Sequence, residues 1–282
     1  MLITIEEAIR QFDSIFCLGN RIKPAAVIGG SASGKSYFCQ LVADRFPGQI
    51  LLFPMDPYYK GKRFVRVHDG VFFQDVIPGI PFLDRSVAGN FDDPRSVDLP
   101  LITDHINELL RSGSVVTPMY DMPRSCRSPE TKLIKRDGEK VLLYDGLFLP
   151  PDFFPDIVFI DASPHSRLIR RLMRDPIRKN ISAGKYDQFM TFTLFYMLGT
   201  VFPMHMCHVE PIRDRADYVI YNEYDTEFEF AGVTHPPLEG KIERRYYFPG
   251  RFRESIEILY SGGQYWFDYK LESIDLLLNR CN

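Results

Sequence analysis

Along the first 222 residues, short apolar runs alternate with segments whose apolar side chains recur at helical spacing. Ala25 to Ile28, Gln49 to Pro54, Ser114 to Met119, Val141 to Tyr144, Ile157 to Ile160 and Ala216 to Tyr221 read as strands. Tyr37 to Phe46, Leu99 to Arg111 and the arginine-bearing stretch after Asp161 read as helices. Phe46-Pro47-Gly48 and Ser112-Gly113 stop the first two. Ile5, Ala8, Ile9, Phe12 and Phe16 form a further helical stripe, which predicts a lead-in helix packed outside the sheet. Strand and helix in alternation predict an α/β fold with a doubly wound, mostly parallel sheet. Gly61 to Gly89 has no period and reads as a long excursion over the crevice where such folds bind ligands. After Asn222 the pattern turns β-rich. Thr226 to Phe230, Lys241 to Phe248 and Ser255 to Leu271 favour strands, Ser261-Gly262-Gly263 a hairpin turn, and Ser273 to Asn279 a short closing helix. The chain therefore divides into an α/β domain over 1–222 and a β-rich appendage over 223–282.

Composition narrows the picture. With 282 residues, 45% of them apolar, there is ample material for one large core and an appendage. A formal charge of −3 argues against broad nucleic-acid binding. Five cysteines are scattered without C-x-x-C spacing, as expected of reduced thiols in the cytoplasm. No apolar stretch has membrane-spanning length, and Met1 to Arg10 carries acidic residues without a signal-peptide core.

The chemistry centres on Gly29-Gly30-Ser31-Ala32-Ser33-Gly34-Lys35-Ser36, set between an apolar strand and a helix. Gly29, Gly34, Lys35 and Ser36 occupy the fixed places of G-x-x-x-x-G-K-[ST], the phosphate-binding loop. Its glycines let backbone N–H groups point at phosphate oxygens, at the positive end of the following helix. Lys35 can reach the β- and γ-phosphates of ATP, and the Ser36 hydroxyl can ligate Mg²⁺. Asp56 follows the second strand at its carboxyl end, which makes it a candidate base. Asp145 ends another apolar strand, where a second Mg²⁺-organising carboxylate belongs. The helix after Asp161 carries Arg167, Arg170, Arg171, Arg174, Arg178 and Lys179, read either as a solvated basic face or as a lid clamping a phosphoryl group. His205 and His208 stand three apart, but no second cluster at zinc-ligand spacing accompanies them.

From Pro24 to Tyr221 the chain resembles the uridine/cytidine kinase and phosphoribulokinase family of P-loop small-molecule kinases. The D-x-F/Y-Y of uridine kinases matches Asp56-Pro57-Tyr58-Tyr59, and N-F-D-H-P is similar to Asn90-Phe91-Asp92-Asp93-Pro94. Thr117-Pro118-Met119-Tyr120-Asp121 resembles I-P-x-Y-D, and Asp145-Gly146-Leu147 resembles E-G-I. Arg170-Arg171-Leu172-Met173-Arg174-Asp175 matches R-R-x-x-R-D, and Glu210-Pro211 through Arg215-Ala216-Asp217 resembles the late E/L-P…Y-A-D segment. The resemblance implies an ATP-dependent kinase acting on the hydroxyl of a small-molecule acceptor, a nucleoside such as uridine or cytidine. Asp56 would be the general base, Tyr59 and Tyr120 would line the acceptor pocket, and Asp92 would hold ribose hydroxyls. Asp145 would help organise Mg²⁺, while Arg171 and Arg174 would stabilise the phosphoryl group in transfer. Uridine kinases often assemble as homo-oligomers, an expectation that no residue here signals by itself.

Departures from the pattern are concentrated near the acceptor. Uridine kinases have Phe and His near the pyrimidine where this chain has Met122 and Ser125. Asp145 is one methylene shorter than the family glutamate, and Arg178-Lys179-Asn180 replaces the usual R-G-R-D of the lid. Another acceptor, such as a sugar phosphate or a pantothenate-like metabolite, is therefore an alternative, favoured if Arg124 or Arg127 faces it. The altered lid and the appendage also admit a nucleotide-binding regulatory protein without turnover.

Overall fold

The computed structural model describes residues 2–4, 8, 22–61, 90–151, 153–178, 189, 193, 196–222, 228–230, 233–235, 242–247 and 255–260. Most of the expected lead-in helix, almost all of the 61–89 excursion, the 261–263 turn and the closing helix lie outside the described residues. Two compact units are formed. One comprises 1–68, 88–162 and 201–222; the other comprises 69–87, 163–200 and 223–282.

The first unit holds a sheet of six strands, in the order β1 (Leu2–Thr4), β8 (Tyr218–Tyr221), β7 (Asp156–Asp161), β2 (Lys23–Gly29), β6 (Val141–Gly146), β3 (Ile50–Pro54). Every pairing in it is parallel. Strand β2 lies between β7 and β6, which explains its unbroken apolar run: Ala25 to Ile28 are all fully buried. Alternation along the strands separates two cores. Ala26, Ile28, Phe53, Leu142, Tyr144 and Phe159 meet Ile102, Ile106 and Leu109 of α2 (Leu99–Ser112). Ala25, Val27, Leu143, Val158, Ile160 and Ile220 meet Phe38, Cys39 and Val42 of α1 (Lys35–Arg45). With a helix on each face, the sheet is doubly wound, as the alternation predicts. Two short helices, α4 (Phe202–His208) and α5 (Glu210–Arg213), precede β8.

Two elements depart from the expectation. Strand β1 extends the sheet at the β8 edge, ahead of the helical stripe. The polar stretch around Arg124 and Arg127, read as a loop, instead enters β5 (Cys126–Lys135), which pairs antiparallel with β4 (Ser114–Asp121). Strand β5 is largely exposed or half-buried, so it shows no alternation of apolar and polar side chains to betray it.

In the second unit, α3 (Pro164–Arg178) buries Leu168, Ile169 and Leu172. Two antiparallel pairs follow: β9 (Phe228–Phe230) with β10 (Val233–His235), and β11 (Ile242–Tyr247) with β12 (Ser255–Tyr260).

Candidate active site

The glycine-rich loop joins β2 to α1 and is shaped by close approaches, one from a side chain and one from backbone. Gly34 stands at φ 103°, where a Cβ would lie 2.1 Å from Asn222 Nδ2; a Cβ on Gly29 would lie 2.4 Å from the Ile160 carbonyl oxygen. Inside the loop, the Ser33 N–H donates to the Gly30 carbonyl at 3.0 Å, and Lys35 Nζ donates to the same oxygen at 3.0 Å. The Lys35 ammonium is thereby held in a buried position by a backbone acceptor, while Ser36 opens to solvent at the first turn of α1. That turn carries no acidic side chain that would compete with an anion for its N–H groups. Behind the loop, Asn222 Nδ2 donates to the Ser33 carbonyl at 2.7 Å, and the Asn222 N–H donates to Asp161 O at 2.8 Å.

Strand order brings the expected carboxylates to the same end of the sheet. Asp145 of β6 is in register with Val27 of β2 on one side and Pro54 of β3 on the other. The Met55 N–H donates to the Asp145 carbonyl at 2.8 Å, and Asp56 then opens a 3₁₀ turn, Asp56–Tyr58, with its residue exposed. Burial pushes the Cys39 thiol well above its ordinary value; Asp145 adds to the rise and Lys35 opposes it, so both charges act on one buried sulfur.

An aromatic group stands beside the turn. The Tyr59 ring centroid lies 5.6 Å from Phe91, edge-on, and 5.8 Å from Tyr120. Among the described residues, the buried Tyr120 hydroxyl oxygen meets no hydrogen-bond partner, and neither does Asn90 Oδ1. Burial, followed by the charges of Cys126, Asp56 and Asp121, pushes the Tyr120 hydroxyl up to about 12. Asp92 is buried. Its neighbour Asp93 caps the 3₁₀ turn Pro94–Ser96 by accepting from the Arg95 N–H at 2.8 Å. Burial raises the Asp93 carboxyl, but Arg95 outweighs it and holds the group below its usual range.

Arg127 takes a place the sequence did not foresee. Its Nε donates to Tyr59 O, and its Nη2 donates to Tyr58 O and to Asp98 Oδ2, each at 3.1 Å. The guanidinium thus engages backbone and carboxylate partners within the protein. Tyr58 lies buried beneath, its hydroxyl 3.0 Å from His105 Nδ1.

Arg171 and Arg174 lie on α3, in the second unit. Both bind Asp175, through Arg171 Nε at 3.0 Å and Arg174 Nη2 at 2.7 Å, and Arg171 also stands 5.7 Å over the Tyr196 ring. Burial raises the Asp175 carboxyl, but the two arginines prevail and hold it below its usual range. His205 pairs with Glu210 at 3.1 Å, and Arg213 pairs with Glu210 and with Asp161 at 2.8 Å. Among the described residues no group of three potential metal ligands occurs. Sequence reasoning missed Asn222, Asp98 and His105. Of these, only Asn222 had a signal, because it follows β8 at the carboxyl end where this architecture binds ligands.

A phosphate loop on a doubly wound parallel sheet, with two carboxylate-bearing strand ends beside it, is the architecture of a P-loop small-molecule kinase. Residues 25–185 match the model of the phosphoribulokinase / uridine kinase family, and the chain belongs to that family. The uridine kinase of Geobacillus kaustophilus is 30% identical over 210 residues, covering 72% of this chain and 87% of that protein. The Bacillus pumilus uridine kinase is 28% identical over 209 residues, covering 71% and 87%. At the level of fold alone, the phosphoribulokinase of Rhodobacter spheroides superposes with a TM-score of 0.50 at 11% identity, covering 92% of this chain and 95% of that one. The protein is accordingly a phosphotransferase with an alcohol group as acceptor, and its family implies the use of ATP.

Proposed function

We propose that the protein transfers the γ-phosphoryl group of ATP to the 5′-hydroxyl of a nucleoside, uridine or cytidine, with Asp56 as general base. The observation that carries this reading is the convergence of three neighbouring parallel strands. β2 delivers the phosphate loop, β6 delivers Asp145 and β3 delivers Asp56 to one edge of the sheet. The loop fits a nucleotide: two of its glycines stand where a Cβ would collide, and a buried ammonium is held inside it. Gly29 to Ser36 would hold the phosphates, and Ser36 with Asp145 would hold Mg²⁺. Bound Mg·ATP supplies the transferable phosphoryl group and offsets the charge on its oxygens.

The chain's own groups do the rest. Lys35, released from Gly30 O, neutralises phosphate charge. Tyr59 and Tyr120 offer an aromatic wall for a planar acceptor, and the buried Tyr120 hydroxyl supplies a polar contact that no group among the described residues satisfies. Asp92 accepts from ribose hydroxyls. Asp56 accepts the proton of the attacking hydroxyl at its carboxylate and aligns that oxygen, so that catalysis is chiefly positioning and electrostatics. The family resemblance assigns Arg171 and Arg174, both paired with Asp175, to stabilising the phosphoryl group in transfer. The same reading treats residues 1–222 as the kinase domain, 223–282 as an appendage, and the protein as cytoplasmic.

A different acceptor is the second reading, favoured by the hairpin bend. Met122 is exposed, and Ser125 stands at φ 52° with its hydroxyl turned back toward Met122 O at 3.4 Å. Neither residue reproduces the ring and imidazole that uridine kinases place there. Incubation with Mg·ATP and a panel of pyrimidine and purine nucleosides, pentose phosphates and pantothenate separates the two readings. Uridine or cytidine monophosphate is the expected product. Asp56→Asn should lower its formation by at least about 100-fold while nucleotide binding persists. Normal turnover in that variant would remove Asp56 from the role of base.

A further inference from the structure

We infer that Arg127 is a positioning residue that sets the location of Asp56, and that it is not a ligand of the acceptor. The inference rests on the reading of Asp56 as general base. Asp56 belongs to a single 3₁₀ turn, an element too short to fix its own geometry by an internal ladder. The carbonyls that follow it must be held from outside. Tyr58 O accepts from the Asp98 N–H at 3.0 Å and from Arg127 Nη2 at 3.1 Å, while Tyr59 O accepts from Arg127 Nε at 3.1 Å. Arg127 Nη2 also donates to Asp98 Oδ2, so Asp98 and Arg127 close a ring of hydrogen bonds around the Tyr58 carbonyl. The isolated bridge from Tyr59 to Val97 and the bond from the Lys60 N–H to Ser96 O at 2.8 Å fasten the next residues to the same segment.

The clamp needs the guanidinium in particular. A planar fork can address two successive carbonyls and a carboxylate in fixed directions; a lysine ammonium is a point charge on a flexible stem and cannot reproduce that geometry. Arg127 is also the cross-strand partner of Tyr120. One pair of the β4–β5 hairpin therefore presents a ring to the aromatic wall and a guanidinium to the turn bearing Asp56. The position of the base is tied to the position of the acceptor wall, and an acceptor phosphate on Arg127 would have to compete with Asp98 for Nη2.

The test is steady-state kinetics of the full-length Arg127→Lys and Asp98→Asn variants with Mg·ATP and uridine, or with whichever acceptor of the panel the wild type phosphorylates. Asp56→Asn serves as control. Arg127→Lys should lower kcat about 10- to 100-fold with the acceptor KM changed less than about threefold, because a misplaced base costs rate while binding stays. Asp98→Asn, which keeps the fork on both carbonyls and is the milder change, should shift kcat in the same direction by a smaller factor. If Arg127→Lys fails to fold, a wild-type kcat in Asp98→Asn overturns the inference by itself. A raised acceptor KM at unchanged kcat would make Arg127 an acceptor ligand instead, and wild-type values in both parameters would also overturn the inference. Loss of the base reading is distinguishable: it would appear as retained turnover in Asp56→Asn, whatever Arg127→Lys does.

Discussion

The smallest unit of this site is a contact between residues 189 positions apart. Asn222 donates to the Ser33 carbonyl and thereby fixes the wall of the phosphate loop from the end of β8. Asn222→Ala removes that donor and leaves a turn carbonyl to find water, a loss of about 1 kcal/mol in fold stability. Asn222→Asp does more, since a carboxylate faces the carbonyl and adds negative charge beside the nucleotide phosphates. Titration with Mg·ATP should therefore rank affinities wild type, Asn222→Ala, Asn222→Asp, with the last weakened more than about tenfold. Equal affinities would show the contact to be dispensable. At this scale, the positions of Lys35, Ser36, Asp56 and Asp145 were legible because local order carries them: each sits at a strand end or in a fixed motif. Asn222, Asp98 and His105 were not, because a partner distant in sequence defines their role. Arg127 illustrates the limit. Its residue type pointed to phosphate, while its geometry points to two carbonyls and Asp98.

At the scale of elements, the turn after β3 is held from below by the Tyr58–His105 bond as well as from the side by Arg127. Burial lowers the His105 imidazole below its ordinary value, with Arg127 acting in the same sense, against the raising charges of Glu108, Asp104 and Asp98. The neutral ring pairs with the Tyr58 hydroxyl, whose own ionisation burial suppresses; with the ring proton on Nε2, Nδ1 accepts from that hydroxyl. Because the folded value lies below the unfolded one, the unfolded chain binds protons first as pH falls. The contribution is fully present above about pH 6.5 and is lost as pH falls from there through the folded value. Melting temperatures measured between pH 7.5 and 5.5 should decline in the wild type and decline less in His105→Gln; parallel curves would refute the coupling. Helix α2, which carries His105, was legible from its apolar stripe and the Ser112-Gly113 stop. Strand β5 was not, since its pairing with β4 supplies the order that its own polar sequence withholds.

For the whole molecule, the nucleotide and the fold are thermodynamically linked. A ligand that binds the native state alone stabilises it by about 2.7 kcal/mol at a hundredfold excess over Kd. Mg·ATP should raise the melting temperature of the wild type and leave that of Lys35→Ala almost unmoved, a comparison open to thermal-shift or calorimetric measurement. An equal rise in both proteins would place the nucleotide elsewhere. The parallel α/β architecture was legible throughout, because alternating strands and helices leave few ways to bury both faces of a sheet. The order of its strands was not, for that is a property of the assembled sheet. It has a consequence for synthesis on the ribosome. Strand β2 ends at Gly29, yet its two neighbours in the sheet, β6 and β7, lie about 110 to 130 residues later. At about 5–20 residues per second the nascent phosphate loop waits roughly 6–26 s for its flanking strands. Throughout that interval Ala25 to Ile28 is an unpaired apolar segment, a natural target for chaperones that bind emerging chains.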